Sequence, residues 1–407
     1  MVRCRLCGSG NLSEFLDLGF TPPADQFLTS EQLSQPETYY PLTVLRCDEC
    51  FFIQLSYVVP ADILYQNDYP YEASVTRTGS THFNAFAESV AKAFGLGGKD
   101  LVVDIGSNVG VLLNGFKVQG MRVLGVDPAG NIAAIAESRG IPTIADFFSI
   151  DVARRIAADH GQAKVITGSN VFAHIDDLRG LMQAVEVLLD EQGIFVIEAP
   201  YLVNLLNSIE YDTIYHEHLS YLSILPLVAF FQSCGFELFD VQEVDIHGGS
   251  IRMFVGRQGQ WDVRQSVADF SNRETKDDVY ALDNLKIFAE NVRQNRHELL
   301  GLLRGLKQQG HRIAAVSAPA KGMTLLNYCR IGDETLDFVT EKSTLKIGKF
   351  TPGGHLPVLP DTALLERDID YALLLAWNFK DEIMANLSAF KERGGKFIIP
   401  IPKPEVV

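Results

Sequence analysis

The sequence predicts an α/β protein in which a small cysteine-bearing unit precedes two units of alternating strands and helices. Two C-x-x-C pairs lie within the first 50 residues. From Asp100 onwards, short apolar runs alternate with helix-like segments, which is typical of a parallel sheet. A second series of such runs follows a long amphipathic segment that starts near Asp277. We therefore predict units at residues 1–62, 63–256 and 257–407.

The composition is that of a large globular protein and excludes two classes of partner. The chain of 407 residues is 47% hydrophobic and 21% charged, so it can bury more than one core. A net charge of −16 argues against binding to nucleic acid, which requires a basic face. The apolar runs are far shorter than the roughly 20 residues of a membrane span, and the N-terminus has no apolar signal segment. We expect a cytoplasmic protein without a membrane partner, whose thiols stay reduced.

Four of the six cysteines form two C-x-x-C pairs near the N-terminus. These are Cys4, Cys7, Cys47 and Cys50. Paired knuckles in a reduced compartment predict a tetrahedral zinc site, with four unrelated free thiols as the alternative. Because four thiolates close the zinc shell, we predict a structural rather than a catalytic ion. Cys234 and Cys329 stand apart and are expected to be small buried hydrophobes.

The central unit is predicted to form a mostly parallel sheet. A helix is expected over residues 78–94, ahead of the first strand. The predicted strands are residues 101–105, 122–127, 142–145, 164–167 and 193–198. Two further apolar runs between Phe236 and Val255 are joined at residues 247–250, with no room for a helix between them. They predict an antiparallel hairpin at one edge of the sheet.

A glycine-rich turn follows the first of these strands and opens a helix. It runs Asp104-Ile-Gly106-Ser-Asn108-Val-Gly110, and its glycines let the backbone approach a ligand closely. Asp127 ends the next strand, where a carboxylate can accept both ribose hydroxyls. A nicotinamide dinucleotide or S-adenosylmethionine would fit, but the dinucleotide signature G-x-G-x-x-G is absent. An Asp-bearing strand before the glycines is typical of class I methyltransferases, which favours S-adenosylmethionine. Further candidate cofactor contacts are Asp146, Phe147 and Asn170.

The segment from Tyr211 to Tyr221 follows the fifth strand, at the sheet edge where ligands bind in open α/β folds. His216 and His218 are two residues apart and on a strand would share one face. Three interpretations stay open: a metal pair, general acid–base chemistry and hydrogen-bonded structural histidines. The spacing differs from the helical H-E-x-x-H motif, so we favour acid–base chemistry. His174, at the same edge, is a second proton-handling candidate or a polar loop residue.

The C-terminal unit repeats the α/β pattern after a long helix predicted over residues 277–309. Its predicted strands are residues 312–316, 336–339, 371–375 and 396–400. The turn at 316–322 follows the first of them, and its backbone amides together with Lys321 suit a pyrophosphate. Four basic residues that lie close together in the sequence are predicted to form a second contact with the diphosphate or with a lid, or else a solvated basic face. The residues of this basic cluster are Lys342, Lys346, Lys349 and His355.

These motifs together resemble the nucleotide-sugar C-methyltransferases, close to the sugar C-3'-methyltransferases that make branched deoxysugars. The resemblance spans essentially the whole chain. It rests on the four paired cysteines, on residues 104–110, on residues 215–218, and on residues 318–327 and 352–357. It implies a class I methyltransferase (Rossmann-like) domain flanked by a small N-terminal Cys4 zinc domain and a C-terminal Rossmann-like α/β domain that contributes to nucleotide-sugar binding.

The resemblance also implies particular roles in the site. His218 is the expected base, with Tyr215 and Glu217 beside it. His174 and a tyrosine of the aromatic loop, best matched by Tyr69, are also expected to have roles in the site. Tyr65 and Tyr71 of the same loop are expected either to close over the sugar or to pack against other side chains. The candidate substrate contacts are Lys321, Asn327, Lys342, Lys349 and His355.

The chemistry of methyl transfer to carbon narrows the substrate. A sugar C–H becomes acidic enough only beside a ketone, so we expect a nucleotide-linked 4-keto sugar methylated at C3' through a base-generated enolate. An O- or N-methyltransferase acting on a nucleotide sugar is the nearest competing interpretation. An NAD-dependent sugar-nucleotide oxidoreductase and a non-catalytic scaffold compete with it from different classes of protein.

Overall fold

The computed structural model describes residues 2–65, 69, 70, 72, 77–246 and 248–407. Tyr71 of the aromatic loop and His247 of the predicted hairpin turn lie outside these residues. The strands are β1 (Leu12–Thr21), β2 (Tyr40–Cys47), β3 (Ile53–Leu55), β4 (Leu101–Ile105), β5 (Arg122–Val126), β6 (Thr143–Ile144), β7 (Ala163–Ser169), β8 (Leu189–Pro200), β9 (Ser220–Tyr221), β10 (Phe236–Val244), β11 (Ser250–Arg257), β12 (Ile313–Val316), β13 (Val339–Glu341), β14 (Val358–Pro360), β15 (Tyr371–Leu374), β16 (Lys396–Ile399) and β17 (Glu405–Val406).

The α-helices alternate with these strands in the second and third sheets. They are α1 (Ala61–Tyr65), α2 (Arg77–Ala93), α3 (Val111–Lys117), α4 (Gly130–Ser138), α5 (Ile150–His160), α6 (Leu178–Leu188), α7 (Leu202–Asn207), α8 (Ile224–Ser233), α9 (Gln265–Lys276), α10 (Leu282–Gln308), α11 (Ala320–Cys329), α12 (Ala363–Glu366), α13 (Lys380–Asn386) and α14 (Ser388–Glu392). Short 3-10 helices lie at Gln32–Ser34, Phe172–His174, Tyr211–Thr213 and Trp377–Phe379. In the described part of the chain, no helix combines the length and apolar character needed to cross a bilayer.

The first sheet has the antiparallel strand order β1-β2-β3-β9. Its last strand comes from the central part of the chain: Ile53 pairs with Tyr221 and Gln54 with Ser220. The cysteine-bearing unit therefore shares a sheet with the residues that directly follow the Tyr215–His218 segment. This pairing holds that segment in place from its C-terminal side.

The central sheet has the strand order β10-β11-β8-β7-β4-β5-β6. Strands β4, β5, β6, β7 and β8 are parallel, and β11 runs antiparallel to both β8 and β10, which confirms the predicted edge hairpin. Every residue of β4 is buried, as expected for a strand with helices on both faces of its sheet. The strand order reverses between β4 and β7, so a ligand crevice forms outside their carboxyl ends.

The C-terminal sheet has the strand order β14-β13-β12-β15-β16-β17 and is parallel except for its last pair. The strand predicted at 336–339 lies further along the chain: β13 starts at Val339, although the Asp337 N–H and the Phe338 carbonyl already form hydrogen bonds with β12. The long helix starts at Leu282 rather than 277, since Asp278 has a φ of 48°, outside the helical region. Helix α9 and strands β14 and β17 were not anticipated.

A buried carboxylate joins α9 to the central unit. Glu274 is fully buried and accepts hydrogen bonds from the hydroxyls of Tyr201 and Tyr280, at 2.8 and 2.6 Å. It also accepts from the backbone N–H groups of Ile224 and Leu225, which open α8. Four donors satisfy the carboxylate, so its burial is compatible with stability.

Candidate active site

The three sheets enclose one continuous cavity of about 550 Å³. Its wall includes Asp25 from the first unit, Asp104 and His218 from the central unit, and Lys321 from the C-terminal unit. The volume lies in the range of pockets that bury small organic ligands. The carboxyl ends of both parallel sheets therefore open into the same space.

The glycine-rich turn forms part of the cavity wall at the end of β4. Gly106 has a φ of 65°, and a Cβ atom there would lie 2.8 Å from Cγ2 of Val171. Gly110 has a φ of 78° and packs against Ile141 behind the turn rather than lining the cavity. Asp104 is buried, which raises its pKa to about 7, and it accepts a hydrogen bond of 2.6 Å from the Thr167 hydroxyl.

Two polar side chains after neighbouring strands face the same space. Asp127 follows β5, and its two oxygens accept hydrogen bonds of 2.9 Å from the backbone N–H groups of Asn108 and Ala129. Asn170 follows β7, and its buried Oδ1 has no partner among the described residues. The Asp127 carboxylate can accept from the ribose hydroxyls of S-adenosylmethionine. The buried amide oxygen of Asn170 can accept from one of its amino groups.

Of the two cofactor contacts predicted after β6, one lines the cavity and the other does not. Phe147 lines the cavity. Asp146 is exposed outside the wall, where its carboxylate accepts from the Phe147 N–H and lies 3.8 Å from a guanidinium nitrogen of Arg155. The structure thus brings the aromatic ring to the cavity but not the carboxylate, because Phe147 and Phe148 occupy the inner side of this turn.

The Tyr215–His218 segment is a turn that places the His218 imidazole, in a single tautomer, at the cavity wall. His218 Nδ1 lies 2.8 Å from the carbonyl oxygen of Thr213. A carbonyl only accepts, so this nitrogen carries the proton and Nε2 is left with a lone pair. Nε2 accepts a hydrogen bond of 2.8 Å from the Tyr215 hydroxyl. The two rings form one proton-accepting pair.

Glu217, in the same turn, points into the cavity beside the aromatic loop. The Tyr69 hydroxyl donates to Glu217 Oε2 at 2.9 Å. Burial, followed by the negative charge of Asp25, raises the pKa of Glu217 to about 8. The raised pKa favours the protonated form of this carboxyl group.

His174 lies against His218, with ring centroids 5.0 Å apart. Its Nδ1 is 3.3 Å from the Tyr65 hydroxyl, and its buried Nε2 has no partner in the described part of the chain. Burial lowers the pKa of His174 to about 4, so the ring is neutral near pH 7.

His216 points away from the cavity. Its Nε2 lies 3.3 Å from the carbonyl oxygen of Tyr40, and its ring packs against the Tyr40 ring in the first sheet. The segment is a turn rather than a strand, so His216 and His218 do not share a face. Among the described residues, the group positioned to hold a metal ion is the cysteine cluster, not this pair. His216 fits the structural interpretation.

The C-terminal sheet contributes Lys321 near the start of α11. Its Nζ lies 3.9 Å from Oδ2 of Asp212, 3.3 Å from Oδ1 of Asn378 and 4.4 Å from the ring centroid of Trp377. The indole N–H of Trp377 donates to the same Asp212 oxygen at 2.7 Å. Lys342 is exposed at the cavity wall.

Three predicted substrate contacts lie elsewhere. The Asn327 amide donates to the carbonyl groups of Met323 and Pro352, and His355 lies 3.1 Å from Glu37. Neither these side chains nor Lys349 line the cavity. The residues of the predicted basic cluster therefore do not form a single patch. The chain turns between Lys342 and His355, so successive cations point in different directions.

The cysteine cluster fits a tetrahedral zinc ion. The four sulfur atoms lie within 4.8 Å of one another, with Cys4 to Cys50 at 3.5 Å and Cys7 to Cys47 at 3.6 Å. A tetrahedral ion with Zn–S bonds of about 2.3 Å places its sulfur ligands about 3.8 Å apart. Cys234 is half-buried and Cys329 buried, both apart from this cluster.

The fold and the site define an S-adenosylmethionine-dependent methyltransferase with a four-cysteine zinc-binding unit. Family models match in three consecutive segments: a zinc binding domain at residues 4–65, a methyltransferase domain at 80–241 and a C-methyltransferase C-terminal domain at 245–402.

A relative of nearly the same length identifies the family more narrowly. The chain is 37% identical over 405 residues to the C-methyltransferase NovU of Streptomyces niveus, covering 99% of this chain and 96% of the relative. The protein therefore belongs to this family of C-methyltransferases. An oxidoreductase and a non-catalytic scaffold are both set aside by this result.

Solved structures resemble less than half of the chain, at low identity. One is an S-adenosylmethionine-dependent methyltransferase from Anabaena variabilis, with 16% identity, a TM-score of 0.35, and coverage of 44% of this chain and 86% of that one. Another is the magnesium protoporphyrin IX methyltransferase of Synechocystis with bound SAH, with 13% identity, a TM-score of 0.36, and coverage of 46% and 90%. The family assignment rests on the relative of similar length.

Proposed function

We propose that this C-methyltransferase methylates C3' of a 4-keto sugar carried on a nucleoside diphosphate, through an enolate. The observation that carries the proposal is the His218–Tyr215 pair, whose proton-accepting nitrogen lies in the same cavity as the glycine-rich turn. A methyltransferase acting on carbon must first remove a C–H proton, and a ketone next to that carbon makes the proton removable. A base fixed in one tautomer suits this step.

The His218–Tyr215 pair accepts the C3' proton in this mechanism. The Thr213 carbonyl retains the Nδ1 proton and thereby keeps the lone pair on Nε2. As the C–H bond breaks, its electrons move into the enolate and the proton passes to the pair. The positive charge that forms on His218 is stabilised by its hydrogen bond to the Thr213 carbonyl.

The enolate oxygen needs hydrogen-bond donors in place before the charge develops. His174 supports this role because it is neutral and its Nε2 has no partner among the described residues. If the Tyr65 hydroxyl donates to Nδ1, the His174 proton resides on Nε2 and can be donated into the cavity. Tyr69 lies at the same wall, hydrogen-bonded to Glu217.

The residues beyond the carboxyl ends of β4 and β7, where the strand order of the central sheet reverses, would hold the cofactor. When bound, S-adenosylmethionine supplies an electrophilic methyl group on a sulfonium sulfur. Gly106 and Asn108 provide close backbone approach, Asp127 suits the ribose, and Phe147 and Asn170 line the remaining wall. The chain's part in the transfer is to hold the two reactants close together and to exclude water.

The C-terminal sheet supports binding of the nucleoside diphosphate. Lys321 lies in the first turn of α11, where free backbone N–H groups favour an anion, and Lys342 lies at the same wall. Because both sheets open into one cavity, a diphosphate at Lys321 and a sugar at His218 can belong to one substrate.

Hydrogen–deuterium exchange at C3' tests the proposal without methyl transfer. The protein is incubated in D₂O with a nucleotide-linked 4-keto sugar and S-adenosylhomocysteine, and NMR follows the C3' proton. We expect exchange that His218→Asn slows by about 10²–10⁴-fold, the usual contribution of a general base. His216→Asn is the control from the same turn: it removes a structural histidine outside the cavity and should exchange far faster than His218→Asn. A substrate that binds without exchanging C3' would refute the enolate mechanism.

A further inference from the structure

Each of the three units contributes one ionisable side chain to a cluster in the cavity wall. Asp25 lies in a turn after β1, Glu217 in the central unit, and Lys346 in a turn after β13. All three are buried, with 8%, 3% and 4% exposure. Lys346 was singled out in the sequence as a diphosphate or lid contact. Its Nζ instead lies 3.0 Å from Oδ1 of Asp25 and 2.8 Å from the carbonyl oxygen of Ala318.

The cluster holds more carboxyl groups than cations. The Lys346 ammonium is engaged directly by Asp25, while the direct partner of Glu217 is the neutral Tyr69 hydroxyl. In the described part of the chain, Lys346 is the cation that acts on Glu217. Two buried carboxylates cannot share one cation without a large desolvation cost, so one carboxyl is expected to keep its proton.

The groups that face Glu217 come from several elements. They are Asp25 and Lys346 from the outer units and Tyr65 and Tyr69 from the aromatic loop, with Tyr215 and His218 on its own turn. Tyr65 and Tyr69 are buried and their pKa values are raised, so these two hydroxyls stay neutral in the physiological range. The charge balance at Glu217 is therefore set by Asp25 and Lys346.

We propose that Glu217 faces the bound sugar as a protonated carboxyl group that donates a hydrogen bond to a sugar oxygen, and that Asp25 and Lys346 are positioning residues whose opposite charges set its protonation: Asp25 favours the protonated form and Lys346 opposes it. The inference rests on the proposed function for the identity of the ligand. A carboxylate only accepts hydrogen bonds, whereas a neutral carboxyl group offers one O–H donor to a carbonyl or hydroxyl oxygen. The zinc-binding unit thus has a second role, because it brings Asp25 to the active site.

Two single substitutions with opposite expected effects test this inference. Asp25→Asn leaves the Lys346 charge facing Glu217, so the pKa of Glu217 should fall by about one pH unit or more. Lys346→Met leaves the Asp25 charge uncompensated, so the pKa should rise by a similar amount. Infrared spectra of the zinc-loaded full-length protein are recorded against pH, and the Glu217 carboxyl band is assigned by subtracting the Glu217→Gln spectrum. No substrate is present, so the result does not depend on the proposed reaction.

Matched variants separate this effect from structural damage. Lys346→Arg keeps the charge and should keep the titration midpoint, and Lys349→Met removes a cation of the same segment that lies outside the cavity. The double variant Asp25→Asn/Lys346→Met leaves no unpaired buried charge and should titrate near the unsubstituted protein. Shifts in the same direction in both single variants, or no shift, would overturn the inference. If neither single variant folds, a double-variant midpoint displaced by more than one pH unit would overturn it.

Discussion

Substituting Gly106 by alanine should damage the central unit by an amount that the structure specifies. An L-residue at a φ of 65° costs about 1–2 kcal/mol. The new Cβ would lie 2.8 Å from Cγ2 and 3.1 Å from Cβ of Val171, and such overpacking typically costs about 1–3 kcal/mol. Together these terms predict a loss of about 2–5 kcal/mol, along with a displaced turn and weaker binding of S-adenosylhomocysteine.

Hydrogen exchange of the β4 backbone amides measures the stability of the central sheet, and calorimetry measures the affinity for S-adenosylhomocysteine. Gly130→Ala is the matched control, because a Cβ there meets nothing within 4 Å and its φ is not positive. It should change stability by less than about 1 kcal/mol. The double variant Gly106→Ala/Val171→Ala should recover the steric part but not the backbone part. If Gly106→Ala were as stable as the Gly130→Ala control, the reasoning from turn geometry would be refuted.

Four further outcomes are expected. The pKa of Asp104 is raised to about 7 by burial, so its contribution to stability should decline by about 4 kcal/mol in total as pH rises from about 4 to about 7; Asp104→Asn should flatten urea-unfolding data over that range. Cys47→Ser should weaken the zinc site and, through the β3–β9 pairing, lower both the melting temperature and turnover, and unchanged values would contradict this coupling. Lys321→Met should raise KM for the nucleotide sugar about 10–100-fold while leaving the S-adenosylhomocysteine Kd unchanged. Glu274→Gln should cost about 3 kcal/mol in denaturant unfolding, because an amide cannot accept from all four donors.

Features with a strong local signal could be predicted from the sequence. The strand at 101–105 has the predicted bounds, because a short, mostly apolar run that enters a glycine-rich turn is a strong strand signal. The edge hairpin is confirmed for the same reason, since two adjacent strand-like runs had no space for a helix. The paired cysteines also lie together, because the C-x-x-C spacing is itself the metal-binding signal.

Features that depend on distant pairing could not be predicted. Strand β9 has two residues and no periodic pattern, yet it joins the first sheet to the active-site turn. The run at 336–339 does lie beside β12, with the Asp337 N–H and the Phe338 carbonyl hydrogen-bonded to it, but the regular strand extends from Val339 to Glu341, and local composition does not mark where a strand starts. The basic residues after Lys342 resembled one patch because they are close in sequence, whereas the folded chain distributes them over separate partners.

The contrast between His216 and His218 shows how the first sheet contributes to the chemistry of the central one. Both histidines lie in one turn, and nothing in their spacing distinguishes a base from a structural residue. Pairing of β9 with β3 brings this turn against Tyr40, whose carbonyl receives the His216 ring and leaves the His218 ring to the cavity. The same unit also delivers Asp25 to Glu217. A zinc ion that holds the first sheet together would therefore act on the reaction indirectly, through the orientation of His218 and the protonation of Glu217.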